Sequence, residues 1–174
     1  MSPADALTPP GEPRVRRVRP DDHAAVGALI VAAYEPHLLG PDDPYRARLA
    51  DVARRDAEAE VWVAEDADGA PLGSVTLCLP GSPWREAAHE HEGEFRMLAV
   101  APSAQGRGVA RRLVTAVLDR CAAEGLSGVV LSTLAQQRAA HRLYASLGFV
   151  RAPQRDHSPA PGVDLLVMVR SIPA

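Results

Sequence analysis

The chain contains no lysine, so all 19 of its Lys and Arg residues are arginines. That absence excludes a Schiff-base lysine, a lysine nucleophile and the lysine of a nucleotide-binding P-loop. Asparagine is missing as well, so there is no N-glycosylation acceptor. Cysteine is limited to Cys78 and Cys121, each inside an apolar run that reads as core. With no signal peptide at the start, two buried thiols lead us to expect a reducing, cytoplasmic setting. No apolar run approaches the roughly 18 residues that a membrane helix needs. A net charge of −3 and a pI near 6.1 give no general attraction to nucleic acid or to an anionic membrane. The exception is Arg14, Arg16, Arg17 and Arg19. Alternate residues of a strand face opposite ways, so these arginines are expected to flank an edge strand rather than form a binding stripe.

At 174 residues, with 47% hydrophobic and 24% charged residues, the chain has the composition of one globular domain. Residues 1–13 carry Pro3, Pro9, Pro10 and Pro13 among small and polar residues. Such a segment cannot bury enough surface to offset its ordering entropy and is expected to be a disordered tail before a single domain at 14–174. The expected elements begin with a strand over Arg14–Arg19. Asp21 or Asp22 then caps a helix through Val26, Leu29, Ile30 and Ala33 that stops at Pro36. A second helix covers Tyr45–Asp56. Next come "EVWVAED" and "PLGSVTLCL", a hairpin turning at Asp68 and Gly69. A strand from Glu94 to Pro102 leads into a helix from Val109 to about Gly125. Further on are a buried strand over Leu126–Ser132, a helix through Ala139, Ala140, Leu143 and Leu147 stopped by Gly148, and a last strand over Val163–Val169. A hairpin followed by strand–helix units argues for a mixed α/β sheet with a parallel pair in its second half. No period of 20 to 50 residues repeats, which excludes repeat architectures.

Two stretches carry chemistry. In "QGRGVA", from Gln105 to Ala110, a glycine-containing turn opens a helix straight after a strand. Consecutive backbone N–H groups there can converge on a phosphate, with the helix dipole and Arg107, Arg111 or Arg112 adding positive potential. The spacing is not the dinucleotide fingerprint. The second stretch is "QQRAAHRLYASLGF", a helix that ends in Tyr144, then a glycine stop and Phe149.

Together, in this order, the two stretches resemble the GNAT superfamily of acetyl-CoA-dependent N-acyltransferases. Gln105, Gly108 and Ala110 match the family's phosphate-binding pattern, and Leu143, Tyr144, Leu147, Gly148 and Phe149 match its later "LYxxLGF". The resemblance runs from about Arg14 to Val169. It implies a central, mostly antiparallel sheet of six to seven strands with a splayed parallel pair in the middle, flanked by about four helices. It further implies that the CoA pyrophosphate sits on the N–H groups of Gln105, Gly106, Arg107, Gly108, Val109 and Ala110. The pantetheine arm would pair with Leu98, Ala99 and Val100, and a backbone N–H near Leu98 or Ala99 would meet the developing oxyanion. Gln137 departs from the asparagine that many members have at a position where the resemblance implies a cofactor or backbone hydrogen bond. Members are often dimers, which makes a homodimer one of the states to test.

Acetyl transfer to an amine requires a proton to leave the acceptor and a thiolate to be expelled. In the family, a tyrosine at the place of Tyr144 protonates the leaving sulfur. For the base, Glu94 is the first choice, because members use a carboxylate on this strand; its other reading is a simple pairing with Arg96. His89, His91 and Glu92 in "HEHEGE" are rivals, His91 because its ordinary pKa lies near working pH. That run is not the HExxH zinc arrangement, and no metal is expected. The Tyr34–Pro44 loop, the Trp84–Glu92 loop and "RAPQRDHSPAPGVD" are expected to line the acceptor pocket. There Arg151, Arg155, Asp156 and His157 either read an acceptor's carboxylate or amine or are solvated loop charges. The reading is an N-acetyltransferase acting on a primary amine, small or amino-acid-like. The alternatives are a protein or peptide N-acetyltransferase, or a non-catalytic acyl-CoA-binding sensor.

Overall fold

The first strand runs where the arginines alternate with valine. β1 (Arg14–Arg17) pairs antiparallel with β2 (Glu60–Glu65), from Arg14 opposite Glu65 to Arg17 opposite Trp62. In this computed structural model residues 11–173 are described; most of the expected tail, residues 1–10, lies outside them. The remaining elements are α1 (His23–Tyr34), α2 (Tyr45–Ala50), α3 (Val52–Glu58), β3 (Pro71–Cys78), β4 (Glu92–Val100), α4 (Val109–Ala123), β5 (Gly128–Leu134), α5 (Arg138–Ser146), β6 (Val150–Arg151), β7 (His157–Ala160) and β8 (Val163–Ser171). The chain gathers into two compact units. One comprises residues up to Thr76 with Met97–Ala116, the other Leu77–Arg96 with Val117 onward.

In the first unit the strand order is β1-β2-β3-β4. Arg16 is held by Glu65 at 2.6 Å and by Asp22 at 2.7 Å, as expected of arginines on an edge strand. Asp22 is the N-cap of α1, but its side chain does not cap it: the carboxylate instead accepts the Arg19 N–H at 2.6 Å. Helix α1 buries Val26, Gly27 and Ile30. A Cβ on Gly27 would lie 2.6 Å from the Ala50 carbonyl oxygen, so only glycine lets the end of α2 come this close. The single helix expected over Tyr45–Asp56 is two helices, because Asp51 leaves helical geometry (ψ 71°) and its side chain accepts the Arg54 N–H to start α3. The fully buried Arg55 donates to the Leu49 carbonyl at 2.8 Å and to that of Arg48, satisfying carbonyls orphaned at the break. The β2–β3 turn is closed by Asp66, whose carboxylate accepts the N–H groups of Asp68 and Ala70 at 2.9 Å each, with Gly69 at φ +82°.

In the second unit β5 is central. It runs parallel to β4, from Glu92–Gly128 to Phe95–Leu131, and antiparallel to β8, from Gly128–Ser171 to Leu134–Leu165. Both β6 and β7 pair antiparallel with β8. The sheet is therefore mixed and mostly antiparallel, with the parallel pair the sequence called for. It has eight strands rather than six or seven, since two short strands form in the stretch expected to be loop. Cys78 and Cys121 are both buried and free. Gly93 is obligatory here, because its Cβ would meet the Cys121 sulfur at 2.5 Å.

Candidate active site

The first unit carries the glycine turn. Ala104, fully buried in a short 3-10 turn over Pro102–Ala104, anchors it, and Gln105, Gly106, Arg107 and Gly108 are exposed. Gly106 and Gly108 sit at φ +76° and +75°, left-handed values that cost an L-residue roughly 1–2 kcal/mol each. A Cβ at either position would meet nothing within 4 Å, so conformation and not packing calls for glycine, and the turn faces open space. The Arg112 N–H donates to the Gly108 carbonyl at 3.1 Å, which makes Gly108 the entry to α4. The N–H groups of the helix's first turn point out of the helix with the positive end of its dipole. Arg112 pairs with Glu12 across the same turn.

What holds α4 in place is Gly73 of β3, a residue that no sequence pattern singles out. A Cβ there would lie 2.7 Å from Val109 Cγ1, 2.8 Å from the Ala99 carbonyl oxygen and 3.2 Å from Leu113 Cδ1. The missing side chain lets the first turn of α4 settle on the strands. On β4, Met97 is left-handed at φ +53°, the one non-glycine residue so placed among those described. This interrupts the strand's alternation, so the face of Glu94 and Arg96 does not simply carry over to Leu98 and Val100. Ala99 is buried and Leu98 and Val100 are half-buried, while the Ala101 N–H ties β4 to the Leu72 carbonyl at 2.8 Å.

The second unit holds the expected acid and base. Tyr144 is buried on α5 and meets the rings of Phe95 and Phe149 edge-on, at centroid distances of 5.8 and 6.0 Å. Phe95 and Phe149 meet each other at 5.9 Å, closing a triangle that fixes the phenol. Burial alone pushes the Tyr144 phenol well above its ordinary pKa, so it stays protonated at any physiological pH.

Glu94 is almost wholly buried. Its Oε2 accepts three consecutive backbone N–H groups, from Glu86 at 2.9 Å, Ala87 at 2.9 Å and Ala88 at 3.0 Å. Arg96 turns to Glu86 at 2.9 Å and to the Trp84 carbonyl at 2.8 Å. Of the rivals for the base, His89 and His91 are exposed. The Glu92 carboxyl is raised by burial but lowered by more through Arg155 and the His89 N–H, so it ends below its ordinary range. Gln137 Oε1 accepts the Thr133 hydroxyl at 2.8 Å and the Leu134 N–H at 3.0 Å. Its carbonyl thus closes the turn between β5 and α5. Arg151 and Asp156 are exposed and pair with each other at 2.7 Å, while the half-buried Arg155 pairs with Glu92 at 2.7 Å. Among the described residues no histidine, cysteine or carboxylate cluster could hold a metal ion, and no helix is long and apolar enough to cross a membrane. An open groove of about 570 Å³ lies along α1 and α2 in the first unit, lined by Ala24, Gly27, Ala28 and Val31 among others.

Residues 20–149 match the family model described as the acetyltransferase (GNAT) family. Mycothiol acetyltransferase of Renibacterium salmoninarum is 34% identical over 144 residues, covering 79% of this chain and 40% of that protein. Human N-acetylaspartate synthetase is 36% identical over 111 residues, covering 63% of this chain and 33% of that protein. The chain thus spans less than half the length of either relative. Among solved structures, yncA of Salmonella typhimurium, which holds acetyl-CoA as its cofactor, superposes with a TM-score of 0.66 at 24% identity, covering 90% of this chain and 92% of that one. At that identity the likeness shows the fold.

Proposed function

The chain belongs to the acetyltransferase (GNAT) family, and from that premise we propose that it transfers an acetyl group from acetyl-CoA to a primary amine by direct attack. The observation that carries this reading is the Gln105–Ala110 turn, with two left-handed glycines facing open space at the start of a 15-residue helix. Backbone N–H groups bared by glycine suit a pyrophosphate, and the exposed Arg107 adds charge beside them. Leu98, Ala99 and Val100 would hold the pantetheine arm. Gln137, its carbonyl spent on the β5–α5 turn, keeps its amide N–H groups for the cofactor.

The thioester supplies an activated acetyl carbon when acetyl-CoA is bound. The chain's own residues manage the protons. Glu94 takes a proton from the acceptor nitrogen, freeing the lone pair that forms the new C–N bond. All three backbone bonds fall on Oε2, so Oε1 is the oxygen that receives it. As the C–S bond breaks, the Tyr144 hydroxyl gives its proton to the departing sulfur. The raised pKa keeps that proton in place until a stronger base, the thiolate, forms beside it.

A small acceptor is the better reading, because mycothiol acetyltransferase and N-acetylaspartate synthetase are both named for small molecules. Calorimetric titration with acetyl-CoA, followed by a panel of small amines and peptides, tests this. Binding that an Arg107→Glu, Gly108→Asp variant loses is the expected result. Turnover on peptides alone refutes the small acceptor, turnover on nothing leaves the acyl-CoA sensor, and no binding refutes the whole reading.

A further inference from the structure

The loop between β3 and β4 brings Glu94 its three N–H groups, and three arginines hold carbonyl oxygens of the same stretch. Arg96 donates to the Trp84 carbonyl at 2.8 Å, and Arg85 to the carbonyls of His89 and, at 3.0 Å, of Glu92. Arg155, 68 residues along the chain from Ala87, donates to the Ala87 carbonyl. Its guanidinium also binds both carboxylate oxygens of Glu92, Oε1 at 3.2 Å through Nη1 and Oε2 at 2.7 Å through Nη2. The two side chains are 12% and 17% exposed, so water and salt screen the pair little. Both hydrogens of Nη2 are used, one on Ala87 and one on Glu92.

Of the carbonyls held in this way, that of Ala87 alone shares its peptide unit with a donor to Glu94. The Ala87–Ala88 peptide is trans, so its C=O and its N–H point in opposite directions from one plane. On the far side the Ala88 N–H donates to Glu94 Oε2 at 3.0 Å. Two hydrogen bonds therefore run in series from the Arg155 guanidinium, through one peptide, to the Glu94 carboxylate. A cation on the carbonyl end polarises the peptide and strengthens its N–H as a donor. Ala87 and Ala88 also pack against Val130, Ala152 and Val167. Apolar contact is non-directional, so it places this segment without aiming the peptide dipole.

Resting on the acetyl-transfer reading, in which Glu94 is the base, we propose that Arg155 is the positioning residue of Glu94. It aims and polarises the Ala87–Ala88 peptide, which holds Oε2 and leaves Oε1 to face the acceptor nitrogen. Arg155 takes no proton in the transfer and acts on the reaction only through Glu94.

The test compares two variants of the full-length protein. Arg155→Met removes the donors and keeps a long stem, whereas Arg155→Lys keeps the charge opposite Glu92 and one donor nitrogen. In nitrogen-15-labelled protein the Ala88 amide proton should move upfield in Arg155→Met as its hydrogen bond weakens, and less far in Arg155→Lys. The kcat should fall about tenfold or more in Arg155→Met, the worth of one hydrogen bond to a charged group, and by less in Arg155→Lys. The KM for the amine and the Kd for acetyl-CoA should hold. In a Glu94→Gln background, Arg155→Met should change the residual kcat by less than about twofold, since the two residues act as one unit. Should Arg155→Met not fold, Arg155→Lys decides by the same two readouts. In a folded variant, an unmoved Ala88 amide or an unchanged kcat overturns the inference. So does a raised amine KM at constant kcat, which makes Arg155 a binding residue, or a full rate loss in the Glu94→Gln background. If the wild-type protein acetylates no amine but the Ala88 amide still moves, the hydrogen-bond series stands and the acetyl-transfer reading falls instead.

Discussion

Replacing Tyr144 by phenylalanine separates the chemistry of this residue from its packing. The ring is held by edge contacts to Phe95 and Phe149 at 5.8 and 6.0 Å, and Tyr144→Phe keeps both. Neither a hydrogen bond nor a nearby charge contributes to the shifted pKa of the hydroxyl, so its removal leaves no partner stranded. Stability at neutral pH should change by no more than about 1 kcal/mol, and acetyl-CoA affinity should hold. Turnover should fall about 10²- to 10⁴-fold, the usual worth of a positioned general acid, or roughly 3–5 kcal/mol of barrier. The same burial fixes an alkaline signature. A phenol raised in the folded state keeps its proton where the unfolded chain releases it, so stability is unaffected below the unfolded value near 10. Above that value wild-type stability falls by up to about 1.4 kcal/mol per pH unit on account of this one group. Tyr144→Phe lacks that term and should become the more stable form as pH rises past about 10. Steady-state kinetics with urea titrations at pH 7 and at alkaline pH measure both effects. Wild-type turnover in the variant refutes the acid role, and parallel alkaline stability curves refute the buried neutral phenol.

Two further outcomes follow from the packing. Gly73→Ala drives a methyl group to 2.7 Å from Val109 Cγ1 and 2.8 Å from the Ala99 carbonyl oxygen, so the first turn of α4 must lift. It should cost about 1–3 kcal/mol, read as a lower urea midpoint, and weaken acetyl-CoA binding at the same time; an unchanged midpoint contradicts the contact. Cys78 is fully buried, and burial, with a smaller contribution from the Glu94 charge, pushes its thiol up to about 12. Iodoacetamide at pH 8 should leave it unmodified in the folded protein and alkylate it once denaturant is added. Mass spectrometry of the tryptic peptide decides, and rapid labelling of the native chain is the contrary result.

Much of the architecture could be read from local pattern because its causes are local. The alternation in "EVWVAED" and "PLGSVTLCL", the helical spacing from Val109 to Cys121 and the glycine stop at Gly148 each act within one element, and each element formed within a few residues of its expected bounds. The break at Asp51 and the short strands β6 and β7 were not legible. The first depends on a buried arginine, Arg55, reaching back to carbonyls of α2, and the others on β8 offering an edge to residues with weak strand preference of their own.

The site divides along the same line. The sequence by itself determined the glycine turn before α4, the tyrosine near the end of α5 and the glutamate on β4, since spacing along the chain is what defines those motifs. Only the tertiary structure decided what state each is in. Tyr144 is neutral because two phenylalanines from separate segments wall it from water. Glu94 is oriented because three N–H groups six to eight residues away converge on one oxygen. His157 and Glu86, far apart along the chain, come within 3.8 Å of each other. Desolvation and hydrogen bonding depend on distance in space, and a linear pattern carries the residues but not their neighbours.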